Sequence, residues 1–312
     1  MLSILLVVLP IFALILAGWG ARRAGVLGPH ATRELNRFVV YLALPALLFD
    51  IVAGARVSDI WQPGFVAVFA GGAGVVFAAT LGLRLRGSRS LADAAVDGLN
   101  AAYANTGFIG FPLAAAMLGP AALAPTLIAT IVTVCVLFAS ALILVEAALQ
   151  AKARPLAMTT KVAAALARNP LLVAPVAGCV CLALGVPVPG PLERFVTLLG
   201  GAASPCALIA LGLFLAEERA GEPPAPGAVA MLTGMKLVVQ PAVTWALAAW
   251  MFHLSPLLTQ VAVLIAALPT GTGPFMVAEF YGREAATTAR VVLVSTVLSL
   301  LTVTLCLTFL HR

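Results

Sequence analysis

Two apolar segments of the chain are each broken by a polar, proline-containing sequence, and they occupy matching places in its two halves. The first break reads Asn105-Thr106-Gly107-Phe108-Ile109-Gly110-Phe111-Pro112 and the second reads Pro269-Thr270-Gly271-Thr272-Gly273-Pro274. Proline removes a backbone donor and clashes with the preceding turn, and glycine lowers the cost of leaving helical geometry. Inside a bilayer, broken backbone survives only where protein or a water-filled cavity satisfies its polar groups. Two such breaks in corresponding positions imply the substrate site of a secondary transporter.

Composition supplies the bilayer. Of 312 residues, 62% are hydrophobic and 10% are charged, with a mean hydropathy of +1.10. A soluble domain carries about 25% charged residues, so this chain implies an all-α, polytopic integral membrane protein. Its apolar runs lack the alternation of a membrane barrel. The net charge of +6 fits basic cytoplasmic loops better than a nucleic-acid partner. Cys135, Cys179, Cys181, Cys206 and Cys306 all lie in apolar segments without zinc-site spacing and read as packing residues. The run 2–20 lacks a basic n-region and reads as a first span, not a signal peptide.

At about 20 apolar residues per crossing, ten spans are expected. They cover 2–20, 35–54, 64–83, 92–117, 122–147, 170–186, 192–216, 228–251, 256–280 and 285–310. Arg22, Arg23, Arg33 and Arg37 flank the first loop; Arg84, Arg86 and Arg89 flank the third; Lys152, Arg154, Lys161 and Arg168 flank the fifth. The intervening loops offer little beyond Arg56 and Arg194, and the seventh is mixed, with Glu217, Glu218 and Glu222 beside Arg219. Positive charge marks the cytoplasmic side, which places both termini outside.

The halves also resemble each other. Leu35-Asn36-Arg37-Phe38-Val39 opens the second span and Leu192-Glu193-Arg194-Phe195-Val196 the seventh, an offset of 192 − 35 = 157. Pro112 and Pro269 share it, 269 − 112 = 157, and Pro45 and Pro205 recur with a small slip. Five spans per half invert the second half. The expected division is therefore a first repeat over 1–150, a short cytoplasmic linker over 151–169 and an inverted repeat over 170–312.

Those stretches, with Leu44-Pro45-Ala46-Leu47-Leu48-Phe49 and Ala278-Glu279-Phe280-Tyr281-Gly282, make the chain similar to the auxin efflux carrier family in its bacterial form. The Pro-Thr-Gly-Thr-Gly-Pro-Phe-Met run resembles the malonate-transporter branch. The resemblance implies two inverted five-helix repeats with the fourth and ninth helices unwound where they cross, as in bile-acid sodium symporters and some sodium/proton antiporters. It also implies a bacterial inner-membrane carrier of an organic carboxylate, with no cofactor beyond a coupling Na⁺ or H⁺. The long central loop of the plant exporters is absent, so regulation through it does not carry over.

An anion also follows from helix physics, because a half-helix N-terminus presents free N–H groups and a positive dipole end. Thr106, Thr270 and Thr272 could add hydroxyl donors, and Asn105 matches the family's crossover asparagine, which contacts the substrate carboxylate. Gly107, Gly110, Pro112, Pro269, Gly271, Gly273 and Pro274 shape the breaks. The bland alternative is that Asn105 and the threonines only satisfy carbonyls freed there.

Lys236, within the eighth span beside Gln240 and Pro241, either attracts a second substrate carboxylate or snorkels to the cytoplasmic interface. Asp50 and Gln240 are candidates for ion coupling. Asp93 and Asp97 read as interfacial partners of nearby arginines, Glu279 as a local partner of Arg283, and Glu146 as a solvated helix end. Gly71-Gly72-Ala73-Gly74 reads as a close-packing face and not a phosphate loop. The scattered histidines His30, His253 and His311 offer no metal or catalytic cluster. No ATPase motif is present, so a gradient must supply the energy.

A non-enzymatic carboxylate carrier, a uniporter or an ion-coupled symporter, is therefore expected to work by elevator-like or rocking motion. Spans 4 and 9 would move against spans 1, 2, 6 and 7, and the glycine- and alanine-rich surfaces of spans 2 and 7 suit packing or dimerisation. The alternative, a cation/proton antiporter of the same fold, predicts paired acids at the crossover, where none occurs.

Overall fold

The computed structural model of the chain describes residues 2–55, 61–150, 164, 167–217 and 226–310. Arg56, Lys152, Arg154, Lys161, Glu218, Arg219, Glu222 and His311, together with most of the expected linker, lie outside the described residues. Among the described residues the regular structure is helical throughout. In chain order the helices are α1 (Leu2–Arg23), α2 (Ala31–Ala53), α3 (Pro63–Arg86), α4 (Leu91–Ala102), α5 (Phe111–Leu118) and α6 (Pro120–Leu149). They continue as α7 (Pro170–Leu184), α8 (Gly190–Ala216), α9 (Pro226–Met251), α10 (Pro256–Ala266), α11 (Gly273–Phe280) and α12 (Ala285–Leu310).

Six of these, α2, α3, α6, α8, α9 and α12, are long and apolar enough to cross a bilayer, and α7 and α10 are shorter apolar helices. The expected fourth span is α4, a break and α5; the expected ninth is α10, a break and α11. Both breaks therefore fall where the sequence predicts them.

Three helices widen into a π turn at the same distance before a proline. Val39–Ala43 precedes Pro45, Thr106–Gly110 precedes Pro112, and Met235–Val239 precedes Pro241. Proline cannot donate to the carbonyl four residues back and its ring presses on that carbonyl. A wider turn relieves the clash while keeping the chain helical. Two further π turns, Val132–Leu137 and Leu247–Met251, have no such proline, and nothing in their sequences accounts for them.

Glycines set the packing of one helix group. α1 runs antiparallel to the second half of α8, where a Cβ on Gly18 would lie 2.2 Å from the Ile209 carbonyl oxygen and one on Gly212 would lie 2.0 Å from that of Ile15. No side chain fits at either place. α7 packs likewise on the second half of α2, with Gly178 against Val52 and the Phe49 carbonyl. The first half of α8 meets α2 at Gly200, whose Cβ would be 2.9 Å from the Leu47 backbone. Of the small residues on the second and seventh spans expected to serve packing or dimerisation, Gly200 is used here for packing within the chain.

A second group gathers α3, α4, α6, α9, α10 and α12. Gly72 lies so close to α9 that a Cβ would be 2.4 Å from Thr244 Oγ1, and Gly71 faces Leu247, whereas Gly74 meets nothing. The close-packing reading of this glycine run holds for its first two members.

Polar side chains tie the ends of this group together. Arg84 Nε donates to Asp97 at 2.7 Å, Arg283 to Asp93 at 2.6 Å, and Arg89 to Glu284 at 2.5 Å. The expected pairing with a nearby arginine is present for Asp97, through Arg84, whereas Asp93 is paired with Arg283 from across the fold. Glu146 is not a bare solvated end either: it accepts from the Tyr281 hydroxyl at 2.7 Å, and that hydroxyl also accepts from Asn169 Nδ2 at 3.2 Å.

Candidate functional site

The two breaks cross side by side. Ala104 and Thr270 form an antiparallel bridge: the Asn105 N–H donates to the Pro269 carbonyl at 2.9 Å and the Gly271 N–H to the Tyr103 carbonyl at 3.1 Å. Each broken segment thus satisfies groups that the other has lost from its helix, as a membrane interior requires.

Pro112 is the second residue of the α-helical segment α5, and Pro274 is the second residue of α11. Pro269 instead lies in the crossing strand and supplies an acceptor. Pro274 stands in the first turn of α11, where its missing N–H costs nothing, whereas Pro112 follows the π turn Thr106–Gly110, whose wider backbone accommodates it.

A cavity of about 400 Å³ lies against the crossover, between the two helix groups. Its crossover wall comprises Tyr103 to Gly107 and Gly271 to Gly273, and α2 contributes Val39, Leu44, Leu47 and Ile51. Opposite, α8 is interrupted between Gly201 and Ala203 and offers small residues, including Gly200, Ser204 and Pro205. Among the lining residues none carries an ionisable side chain except Tyr103, a phenol.

The polar groups on the crossover wall stand at two helix starts. Asn105 caps the turn leading into α5, its carbonyl accepting from the N–H groups of Ile109 and Gly110 at 3.2 Å each. The Thr106 hydroxyl is buried without a hydrogen-bond partner, which a hydroxyl tolerates only at a cost of about 1–3 kcal/mol. Thr272 is the N-cap residue of α11, and its side chain makes no capping bond. Asn105, Thr106 and Thr272 are thus brought together with two positive helix ends on one cavity wall.

The other expected residues do different work. Thr270 is fully buried and off the cavity; its hydroxyl donates to the Asn100 carbonyl at 2.7 Å and its N–H to Ser295 Oγ at 3.1 Å. Lys236 does not snorkel: it is 0% exposed, and its Nζ donates to the Ala266 carbonyl at 2.6 Å. Gln240, one turn on, donates from Nε2 to the Ala102 carbonyl at 2.9 Å. Asp50 sits away from the crossover and accepts from Thr197 Oγ1 at 3.1 Å. Gly271 and Gly273 lie against Tyr103, where a Cβ would come within 2.9 and 2.7 Å of its ring, whereas Gly107 and Gly110 are not crowded.

Sequence reasoning missed Tyr103, Asn100, Ser295 and the small residues of α8. Asn100 and Ser295 are isolated polar residues in apolar runs, and Gly200-Gly201-Ala202-Ala203-Ser204-Pro205 is a dense small-residue stretch ending in proline. Tyr103 gave no signal beyond its place next to the break. Among the described residues, no group of His, Cys, Asp and Glu could hold a metal ion.

Residues 3–307 match the Mem_trans family, described as "Membrane transport protein". The chain is 33% identical over 299 residues to a Rhizobium meliloti (strain 1021) protein named "Putative malonate transporter", covering 95% of this chain and 92% of that one. It is 26% identical over 278 residues to "Uncharacterized transporter YfdV" of Escherichia coli (strain K12), with 86% of each covered. An "Uncharacterized transporter" of Methanothermobacter thermautotrophicus is 32% identical over 114 residues, 36% of this chain and 37% of its own length. Multiple apolar helices long enough to span a bilayer and a family match along nearly the whole chain lead to one conclusion: this multi-pass membrane protein belongs to the Mem_trans, or auxin efflux carrier, family of membrane transporters.

Proposed function

We propose that the chain carries a small organic carboxylate, malonate or a close analogue, across the bacterial inner membrane, with the substrate held at the crossover. The observation that carries this reading is the cavity wall on which two half-helix starts converge with Asn105, Thr106 and Thr272, without an acid or a base. Neutral donors and helix ends bind a carboxylate while leaving it free to depart, because no buried ion pair has to be broken on release. The name of the Rhizobium meliloti relative supports malonate as the first acid to try.

Ten crossings in two inverted five-helix repeats fit the helix order, with α4–α5 and α10–α11 as the broken fourth and ninth spans. The paired packing of α1 on the second half of α8, and of α7 on the second half of α2, supports that symmetry. α1, α2, α7 and α8 form the static group, and the crossover group slides or rocks against them, with the cavity at the boundary. The basic loops put the Arg84–Asp97 end in the cytoplasm and both termini outside. The competing cation/proton antiporter needs acids at the crossover, and the cavity lining offers none among the described residues.

The test is uptake of labelled malonate, succinate and indole acetate into proteoliposomes, with Na⁺ and pH gradients imposed separately. Saturable uptake of at least one acid supports the reading. Exchange of Na⁺ or H⁺ without binding or movement of any acid overturns it in favour of the antiporter.

A further inference from the structure

Behind the cavity wall lie the C-terminal ends of the two interrupted helices, α4 and α10. Such ends carry unsatisfied carbonyls and the negative pole of the helix. In carriers with discontinuous helices, unwound carbonyls and half-helix C-termini are where a coupling cation is coordinated. Here one face of α9 already occupies both ends. Lys236 Nζ reaches the Ala266 carbonyl at 2.6 Å and Gln240 Nε2 reaches the Ala102 carbonyl at 2.9 Å, one helical turn apart. Both side chains are 0% exposed, and neither lines the cavity.

A buried lysine in a membrane segment is costly and calls for a specific role. The last residue of α10 gives its Nζ a carbonyl at the negative pole of a helix, which offsets part of the cost of burying the charge. A Na⁺ ion brought to the same carbonyl would compete with three N–H donors for the oxygen and meet a like charge at contact distance. Lys236 also lies in the π turn that precedes Pro241, and its Nζ reaches the last carbonyl of α10 before the break.

We propose that Lys236 is the crossover's own cation: its ammonium takes the place of a coupling Na⁺ at the end of α10, and the carrier moves its substrate without Na⁺. Lys236 and Gln240 are then positioning residues, acting on the substrate through the half-helices they hold. This inference rests on the carboxylate-carrier reading for its transport arm and stands independently of it for its stability arm.

The experiment uses the purified full-length protein. In proteoliposomes, wild-type malonate uptake is expected to be the same in sodium chloride and in choline chloride. Lys236→Ala is expected to lose ~10-fold or more of that uptake in choline, as the removal of a charged hydrogen bond implies. Na⁺ or methylammonium restores part of the loss, and Lys236→Arg retains more activity than Lys236→Ala. In parallel, thermal unfolding in detergent should show one wild-type midpoint in both salts, and a lowered Lys236→Ala midpoint that rises saturably with Na⁺ or methylammonium.

Saturable Na⁺ stabilisation of the wild type, or a Na⁺ requirement for its uptake, overturns the proposal, as does a Lys236→Ala protein that neither cation affects. If Lys236→Ala does not fold, the wild-type titration against choline decides. If the wild type moves no carboxylate, the transport reading fails, while the melting comparison still decides the role of Lys236.

Discussion

The ring of Tyr103 lies flat enough on Gly273 that a Cβ at that glycine would come within 2.7 Å of the tyrosine Cζ. The ring is backed by Phe138, with centroids 5.8 Å apart, so it has little room to retreat. Gly273→Ala therefore pushes the α11 start away from the α4 end and opens the crossover. Overpacking of this kind costs about 1–3 kcal/mol, read as a lower melting midpoint in detergent together with weaker substrate binding. In a double-mutant cycle, Tyr103→Ala should suppress part of the Gly273→Ala loss; strict additivity would show that the two do not bear on each other.

Asn105→Ala is expected to lower carboxylate affinity by ~10-fold or more, since hydrogen bonds to charged groups contribute about 1.5–3 kcal/mol, without preventing folding. Thr106→Val makes a sharper case. The Thr106 hydroxyl has no protein partner, so its replacement by an isosteric methyl should leave the melting midpoint unchanged or raise it, while affinity falls. Equal affinity for Thr106→Val and wild type, measured by binding of labelled malonate, would remove the hydroxyl from the site.

Two glycines of α8 should respond in opposite ways. At Gly212 an added Cβ would lie 2.0 Å from a backbone oxygen of α1. Gly212→Val should separate the helices and destabilise the protein by several kcal/mol, or prevent its recovery. At Gly201, which lines the cavity, an added Cβ meets nothing within 4 Å. Gly201→Val should fold normally and reduce transport by filling substrate space. Yield and melting for the first, and uptake by folded protein for the second, check the contrast.

Glu284 links the chain entering α12 to Arg89, whose hydrogen bond, outweighing partial burial, holds the Glu284 carboxyl below the usual range for a glutamate. A depressed folded-state value stabilises the fold above the ordinary value of 4.5 and loses that stabilisation as pH falls through the depressed one. Glu284→Gln should therefore melt slightly below wild type at neutral pH, by a margin that shrinks in acid. Half the glutamate side chain is exposed, so the margin is small. A margin independent of pH would assign the effect to packing.

The breaks are legible in the sequence because proline and glycine act locally, and a polar run inside an apolar segment costs too much in a bilayer to persist without a use. The arginine pairing of Asp97 is legible for a similar reason, since Arg84 and Arg89 are near in sequence. What escapes depends on contacts distant in the chain. Arg283 pairs with Asp93 because the end of α11 meets the start of α4, and no spacing along one helix predicts that. Pro112 and Pro269 share a numerical offset yet sit in different places, one following a π turn inside a helical stretch and one in the crossing segment. Lys236 stands out as a charge inside an apolar run, but hydropathy does not tell a buried cap from a snorkelling chain. That distinction depends on which carbonyl lies opposite.

The bridge between Ala104 and Thr270 is made of main-chain donors and acceptors alone. Any residue but proline can donate such a bond, so at Asn105 the joint places little demand on side-chain identity, whereas at Gly271 the Tyr103 ring leaves no room for a side chain. The side chains at Asn105 and Thr106 can then be exchanged for new cargo without dismantling the join. The protein separates the part that must be kept from the part that can be retuned, at the scale of one peptide unit.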